Sequence, residues 1–185
     1  MPSAANALFD SYPIRLYNPP RVDAISRHTE GGEIMKLRPH HLIDVVSDYG
    51  QGVEFSPHPY GHALHTVAAR LLAEPSLEVE LVLAADDICA PCCHLQADGS
   101  CDDVLAQLAE PISKQAYNDD LDARVFAALG LEPGTRLTVR AFLERLHAHV
   151  PGIEQVCTHP GEDRADRLRG LQAGLERLGV AGQRA

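Results

Sequence analysis

Four cysteines of this chain, Cys89, Cys92, Cys93 and Cys101, lie within thirteen residues. Cys89 and Cys92 form a C-x-x-C pair, a spacing that lets two thiolates converge on one metal ion or one cluster. Gly99 permits a turn that would bring Cys101 back toward this pair. The segment therefore predicts a metal centre held by Cys89, Cys92 and Cys101.

A fourth ligand must come from elsewhere, because adjacent cysteines such as Cys92 and Cys93 point in different directions. Cys157 is the natural distant candidate. Structural zinc sites usually carry two C-x-x-C pairs, whereas iron–sulfur sites more often combine one pair with scattered cysteines. An iron–sulfur cluster, with 4Fe-4S as the expected type, is therefore the first choice and zinc the alternative. Buried apolar cysteines or a thioredoxin-like redox pair would also fit these residues.

A second motif is L-R-P-H-H-L-I-D at residues 37–44. Together with I-C-x-x-C at 88–92 and the later Cys101, it resembles an uncharacterised bacterial and archaeal family of small proteins described as iron–sulfur-binding. The resemblance covers about residues 35–160. It implies a cluster here too, although Asp44, Cys93 and Pro160 stand where the family shows Cys, Pro and Cys.

These departures reduce the number of thiolates and leave two arrangements open. In one, Cys157 supplies the fourth thiolate. In the other, the Asp44 carboxylate holds the fourth iron through oxygen, a weaker ligand for iron–sulfur iron than sulfur is. Such a labile iron could bind a small substrate, which would make the protein an enzyme that uses Lewis-acid chemistry.

Histidines near these ligands are candidates for supporting roles. His40 and His41 begin a predicted helix, and Asp44 lies four residues after His40 on the same face. These three are candidate catalytic residues, able to orient a ligand or move a proton. Arg38 could neutralise cluster charge, and His94 could donate a hydrogen bond to a ligand. The plainer alternative is that Arg38 and the histidine pair cap the helix and hydrogen-bond the core.

His58, His62 and His65 share one face if their segment is helical. A zinc or non-haem iron site would suit such a set, but the exposed polar face of an ordinary helix is the simpler expectation.

The pattern of apolar residues predicts a mostly α (α+β) protein, in which one helix-rich domain with one or two short strands surrounds the metal centre. Apolar stripes indicate helices at 40–49, 61–73, 100–108, 119–129, 139–150 and 168–178, and alternation indicates a strand at 77–83. The helix at 100–108 would place Cys101 near a positive helix N-terminus. We expect an N-terminal arm over 1–34, the metal-binding domain over 35–179 and a tail over 180–185.

Composition excludes several classes of function. The net charge is −10, so the surface does not suit the nucleic acid backbone. No apolar run approaches the roughly 20 residues needed to span a bilayer, and the first residues lack the layout of a secretory signal. We therefore expect a cytoplasmic protein with a small-molecule substrate or a redox partner. The sequence leaves open whether it is an iron–sulfur protein with a structural or functional cluster, an enzyme that uses a labile iron, or a zinc-stabilised structural or interaction protein.

Overall fold

Five α-helices, one short 3₁₀ helix at Ile153–Gln155 and five short strands make up the regular structure of residues 34–180, the part of the chain that the computed structural model describes. The mostly α (α+β) class is thereby confirmed, with more strands than the one or two expected. The helices are α1 Pro39–Gln51, α2 Leu64–Ala73, α3 Lys114–Leu129, α4 Val139–His147 and α5 Arg164–Arg177. The strands are β1 Met35–Leu37, β2 Glu78–Leu81, β3 Val104–Leu105, β4 Ile112–Ser113 and β5 Arg136–Thr138.

The main sheet has the order β1-β2-β5, with β1 parallel and β5 antiparallel to the central strand. Val79 and Leu81 alternate with charged residues along β2, and both are fully buried, as the alternation predicted. β1 ends at Leu37, and α1 begins two residues later at Pro39. The sheet thus fixes where α1 starts, and this helix start carries the L-R-P-H-H motif.

α1 and α5 pack with their backbones in contact. A Cβ atom added at Gly174 would lie 2.0 Å from the carbonyl oxygen of Val46, and one added at Gly50 would lie 1.9 Å from that of Gly170. Only glycine permits so close an approach. Leu171 and Leu175 on α5 complete the buried contact with the core.

The prediction of a helix over residues 100–108 is wrong. Val104 and Leu105 instead form β3, which pairs antiparallel with β4. The Asp103 carboxylate accepts hydrogen bonds from the backbone N–H of Val104 at 2.8 Å and from Lys114 Nζ at 2.9 Å. A side chain that bonds the local backbone in this way competes with helix formation. Cys101 therefore does not lie at a helix N-terminus.

Two further expectations concern the limits of the domain. The arm predicted over 1–34 and the tail predicted over 180–185 fall almost entirely outside the described residues. None of the helices within 34–180 has both the length and the apolar character needed to cross a membrane.

Candidate metal centre

The cysteine loop, residues 86–101, is anchored at its start by the buried Asp86. Its Oδ1 accepts hydrogen bonds from the backbone N–H groups of Ile88 and Cys89, both at 3.1 Å. Its Oδ2 accepts from the Arg38 N–H at 2.8 Å and from His41 Nδ1 at 2.7 Å. Burial alone would raise the pKa of this carboxyl, but the charge of His41 and these hydrogen bonds hold it well below its ordinary value.

The loop then folds back on itself. The Cys92 N–H donates to the Cys89 carbonyl at 2.8 Å, and the Leu95 N–H donates to the Cys92 carbonyl at 3.1 Å. Gly99 has a φ of 83°, and the turn it permits brings Cys101 opposite Leu95 in an antiparallel bridge. The backbone thus returns Cys101 to the segment that follows the C-x-x-C pair.

His94 lies on the other face of this small hairpin. Its Nδ1 is 2.8 Å from Asp102 Oδ1, and Gln96 Nε2 donates to Asp102 Oδ2 at 2.7 Å. Side chains alternate between faces along paired backbone. His94, Gln96 and Asp102 therefore share one face, while Leu95 and Cys101 occupy the opposite one.

A second anchor joins the far end of the loop to the start of α1. The Cys101 N–H donates to Gln115 Oε1 at 2.9 Å, and Gln115 Nε2 donates to the Asp119 carboxylate at 2.8 Å. Arg38 then donates from Nη2 to Asp119 and from Nη1 to Asp122, each at 2.8 Å. Both ends of the cysteine loop are therefore tied to Arg38, one through its backbone and the other through its side chain.

The two adjacent histidines each have their own carboxylate. His40 Nδ1 is 2.7 Å from Asp122 Oδ1, and His41 Nδ1 is 2.7 Å from Asp86 Oδ2. Their ring centroids are 4.3 Å apart. Burial lowers the pKa of His40; for His41 burial acts in the same direction, but the charge of Asp86 outweighs it and the pKa is raised. The sequence suggested Asp44 as the partner of His40, whereas the structure pairs His40 with Asp122.

The two candidates for a fourth ligand, Asp44 and Cys157, meet at Arg167. This buried arginine donates from Nη2 to the Asp44 carboxylate and, at 3.4 Å, to Cys157 Sγ, and from Nε to the Cys157 carbonyl at 3.0 Å. His159 Nε2 lies 3.4 Å from Asp44 Oδ2. Burial raises the pKa of the Cys157 thiol to about 12. Burial, followed by the charge of Asp86, raises the pKa of the Cys89 thiol to about 12 as well.

The second histidine set does not share a helix face, because α2 begins only at Leu64, after His58 and His62. The rings of His58 and His62 stack with centroids 4.4 Å apart. In the described part of the chain, Nδ1 of His62 and Nδ1 of His65 are buried without a hydrogen-bond partner. The prediction that these three histidines form the exposed polar face of one helix is therefore wrong.

The spacing of the cysteines predicted a loop that folds back on itself, but it did not predict the charged residues that surround this loop. Arg167 precedes the buried Leu171 and Leu175 on one stripe of α5, and Asp122 precedes Val125 and Leu129 on one stripe of α3. A charged residue in a core-facing position is the signal from which the sequence analysis could have predicted these buried ion pairs, and it was missed. Within residues 34–180, no three His, Cys, Asp or Glu side chains form a group that could hold a metal ion.

The fold and the site define a small α+β protein that collects cysteines, histidines and carboxylates around one helix start. A family model described as "Protein of unknown function (DUF1284)" matches residues 58–160, more than half of the 185-residue chain. The chain belongs to this family, which confirms the expectation of an uncharacterised family. The matched residues include the cysteine loop and Cys157 but not the motif at 37–44. Comparisons with curated proteins and with solved structures each found no match.

Proposed function

We propose that this protein binds an iron–sulfur cluster, of the 4Fe-4S type, through Cys89, Cys92 and Cys101. The observation that carries the proposal is the double anchoring of the cysteine loop. Asp86 ties Cys89 to the Arg38 backbone, and Gln115 ties Cys101 toward the Arg38 side chain. Such outer hydrogen bonds are what orient the ligands of a metal centre.

The start of α1 beside the loop suits the negative charge of a thiolate-bound cluster, and it acts against burial and the charge of Asp86, which raise the pKa of the Cys89 thiol. The thirteen-residue helix α1 begins there, and a helix N-terminus favours negative charge. Hydrogen bonds and nearby charge are the features by which a protein tunes such a cluster. When bound, the cluster would supply one-electron redox chemistry or, with one iron open, a Lewis acid for a small-molecule substrate.

The loop must close further to hold a metal, because its three thiols do not yet form a coordinating group with one another or with another His, Cys, Asp or Glu side chain in residues 34–180. Cys93 is exposed and Cys89, Cys92 and Cys101 are partly exposed, so the loop has room to rearrange. Metal binding commonly completes the ordering of a site in this way.

The test is anaerobic purification and reconstitution, followed by iron, acid-labile sulfide and zinc analysis and an absorption spectrum. The wild-type protein should hold about four iron and four sulfide per chain and absorb broadly at about 400 nm. Cys89→Ser, Cys92→Ser and Cys101→Ser should each lose most of this absorption.

Cys93→Ser is the matched control, since Cys93 lies in the same loop but is exposed. It should keep the wild-type iron and sulfide content. Zinc bound without sulfide would replace the proposal with a zinc-stabilised protein. Wild-type protein without bound metal, or a cluster that survives all three ligand variants, would refute the proposal.

A further inference from the structure

The C-x-x-C pair lies in a tight turn of the cysteine loop. The Cys92 N–H donates to the Cys89 carbonyl at 2.8 Å, which is the hydrogen bond that closes a β-turn between its first and fourth residues. The Cα atoms at the two ends of such a turn are less than about 7 Å apart, and a disulfide usually joins Cα atoms that are about 4.4–6.8 Å apart. The turn therefore brings Cys89 and Cys92 to about the separation that a disulfide bridges.

Hydrogen bonds on either side fix this turn. Asp86 accepts the Cys89 N–H through Oδ1 at 3.1 Å, and the Asp86 carbonyl accepts the Ala90 N–H at 3.0 Å. Asp86 is only 4% exposed, so the beginning of the turn is held from the core. After the turn, the Leu95 N–H donates to the Cys92 carbonyl at 3.1 Å. The backbone positions of both cysteines are thus set in the reduced protein, before any bond joins their sulfurs.

The other cysteine pairs are less well placed. Cys92 and Cys93 are adjacent, and consecutive Cα atoms are about 3.8 Å apart, which is below the usual range for a disulfide. The residue that lies opposite Cys101 in the hairpin is a leucine. Cys157 is completely buried, whereas Cys89 and Cys92 are partly exposed and open to an external reagent. The backbone therefore favours the pair within the turn.

We propose a second function for this loop, in which Cys89 and Cys92 form a redox-active dithiol that exchanges reversibly with a small-molecule disulfide. One cysteine attacks the external disulfide as a thiolate, forms a mixed disulfide and releases one thiol. The other cysteine then attacks the protein sulfur of the mixed disulfide, which joins Cys89 to Cys92 and releases the second thiol. The two protons lost by the cysteines pass to the two leaving thiolates. The dithiol is thereby oxidised by two electrons, and the external disulfide is reduced by two.

The two cysteines have different parts in this exchange. Burial, followed by the charge of Asp86, raises the pKa of the Cys89 thiol to about 12, so Cys89 is a poor nucleophile toward an external reagent. Cys92 therefore makes the first attack. Cys89 makes the second attack inside the turn, where the reaction is intramolecular and gains from the fixed position of its partner.

The size of the closed loop suits a bond that opens and closes. The loop runs only from Cys89 to Cys92, and cross-linking so short a loop constrains the unfolded chain less than cross-linking a long one. The disulfide would therefore add little to the stability of the fold. While it is closed, neither sulfur is available to a metal, so the oxidised loop and the proposed cluster exclude each other.

The test exposes reduced, metal-free protein to oxidised glutathione and then blocks the free thiols with iodoacetamide. Cleavage before aspartate releases residues 87–97 as one peptide, which separates Cys89, Cys92 and Cys93 from Cys101. Mass spectrometry of the unreduced wild-type peptide should show the loss of two hydrogens, which marks an internal disulfide. After reduction and labelling with a second reagent, fragmentation should place the new label on Cys89 and Cys92 together.

Cys89→Ser should lose the internal disulfide and keep glutathione on Cys92, because no second thiol in the turn displaces it. Cys93→Ser is the matched control and should keep the internal disulfide. The proposal is overturned if the wild-type protein gains only mixed disulfides with glutathione, or if the internal bond involves Cys93 or Cys101. Because the iron and sulfide analysis uses a separate sample, failure of the proposed cluster would leave this result unchanged.

Discussion

Cys157 should be almost inert to alkylating reagents in the folded protein. Its side chain is completely buried, and burial raises its pKa to about 12. At about pH 8, a thiol with that pKa is ionised in about one part in 10⁴, whereas an ordinary cysteine with a pKa of about 8.5 is about a quarter thiolate. Because the thiolate is the nucleophile, Cys157 should react about 10³-fold more slowly, before its lack of exposure is counted.

The assay is a time course of iodoacetamide labelling on reduced, metal-free protein, read for each cysteine by peptide mass spectrometry. Cys93, which is exposed, provides the internal reference. In guanidinium chloride Cys157 should react like the other cysteines, which shows that its peptide is detected. If native Cys157 were labelled within tenfold of the Cys93 rate, Arg167 and the core would not enclose its thiol as described.

Three further changes test the packing around α1. Arg167→Met leaves the Asp44 carboxylate without its buried partner and should lower the free energy of unfolding in urea by about 3 kcal/mol. Adding Asp44→Leu to this variant should recover part of the lost stability. A loss below about 1 kcal/mol in Arg167→Met would contradict the buried ion pair. Burial, followed by the charge of Asp44, raises the pKa of Asp48 to about 7, so ionising this carboxyl costs folding stability as pH rises above its unfolded value of about 3.9. Asp48→Asn should therefore add at least about 1 kcal/mol at about pH 8 and little at about pH 4, and an equal gain at both pH values would refute the assignment. Gly174→Ala forces a Cβ toward the Val46 carbonyl and should cost about 1–3 kcal/mol; an unchanged melting temperature would mean that the helices separate freely.

Local patterns predicted the helices that bury a continuous apolar stripe, because burial of that stripe is what stabilises them. The helix that ends at Leu129 and the strand around Val79 were predictable for this reason. The segment 100–108 was not, since Val104 and Leu105 fit a short helix and a short strand equally well. Lys114, which bonds Asp103 across the β3–β4 hairpin, favours the extended form, and this contact is not visible in a short window of sequence.

The candidate site also has one part that the local sequence predicted and another that it did not. The C-x-x-C spacing and Gly99 predicted a folded-back cysteine loop from neighbouring residues alone. The ion pairs of Arg38 with Asp122 and of Arg167 with Asp44 span 84 and 123 residues, so only the tertiary fold brings them together. For this reason the sequence indicated Asp44 as the partner of His40, whereas the carboxylate that contacts His40 is that of Asp122 on α3.

The register of α1 against α5 connects the packing of the protein to its candidate metal centre. Arg167 contacts Asp44. One helical turn further along, Gly170 approaches Ser47 and Gly50, and Gly174 approaches Val46 and Gly50. The glycine contacts hold the backbones close enough for the Arg167 guanidinium to reach both Asp44 and Cys157. The close packing of α1 and α5 therefore keeps Asp44 and Cys157, the two candidates for a fourth ligand, in contact with Arg167. On the side of α1 that faces the cysteine loop, His41 is held by Asp86, the carboxylate that also accepts a hydrogen bond from the Cys89 N–H.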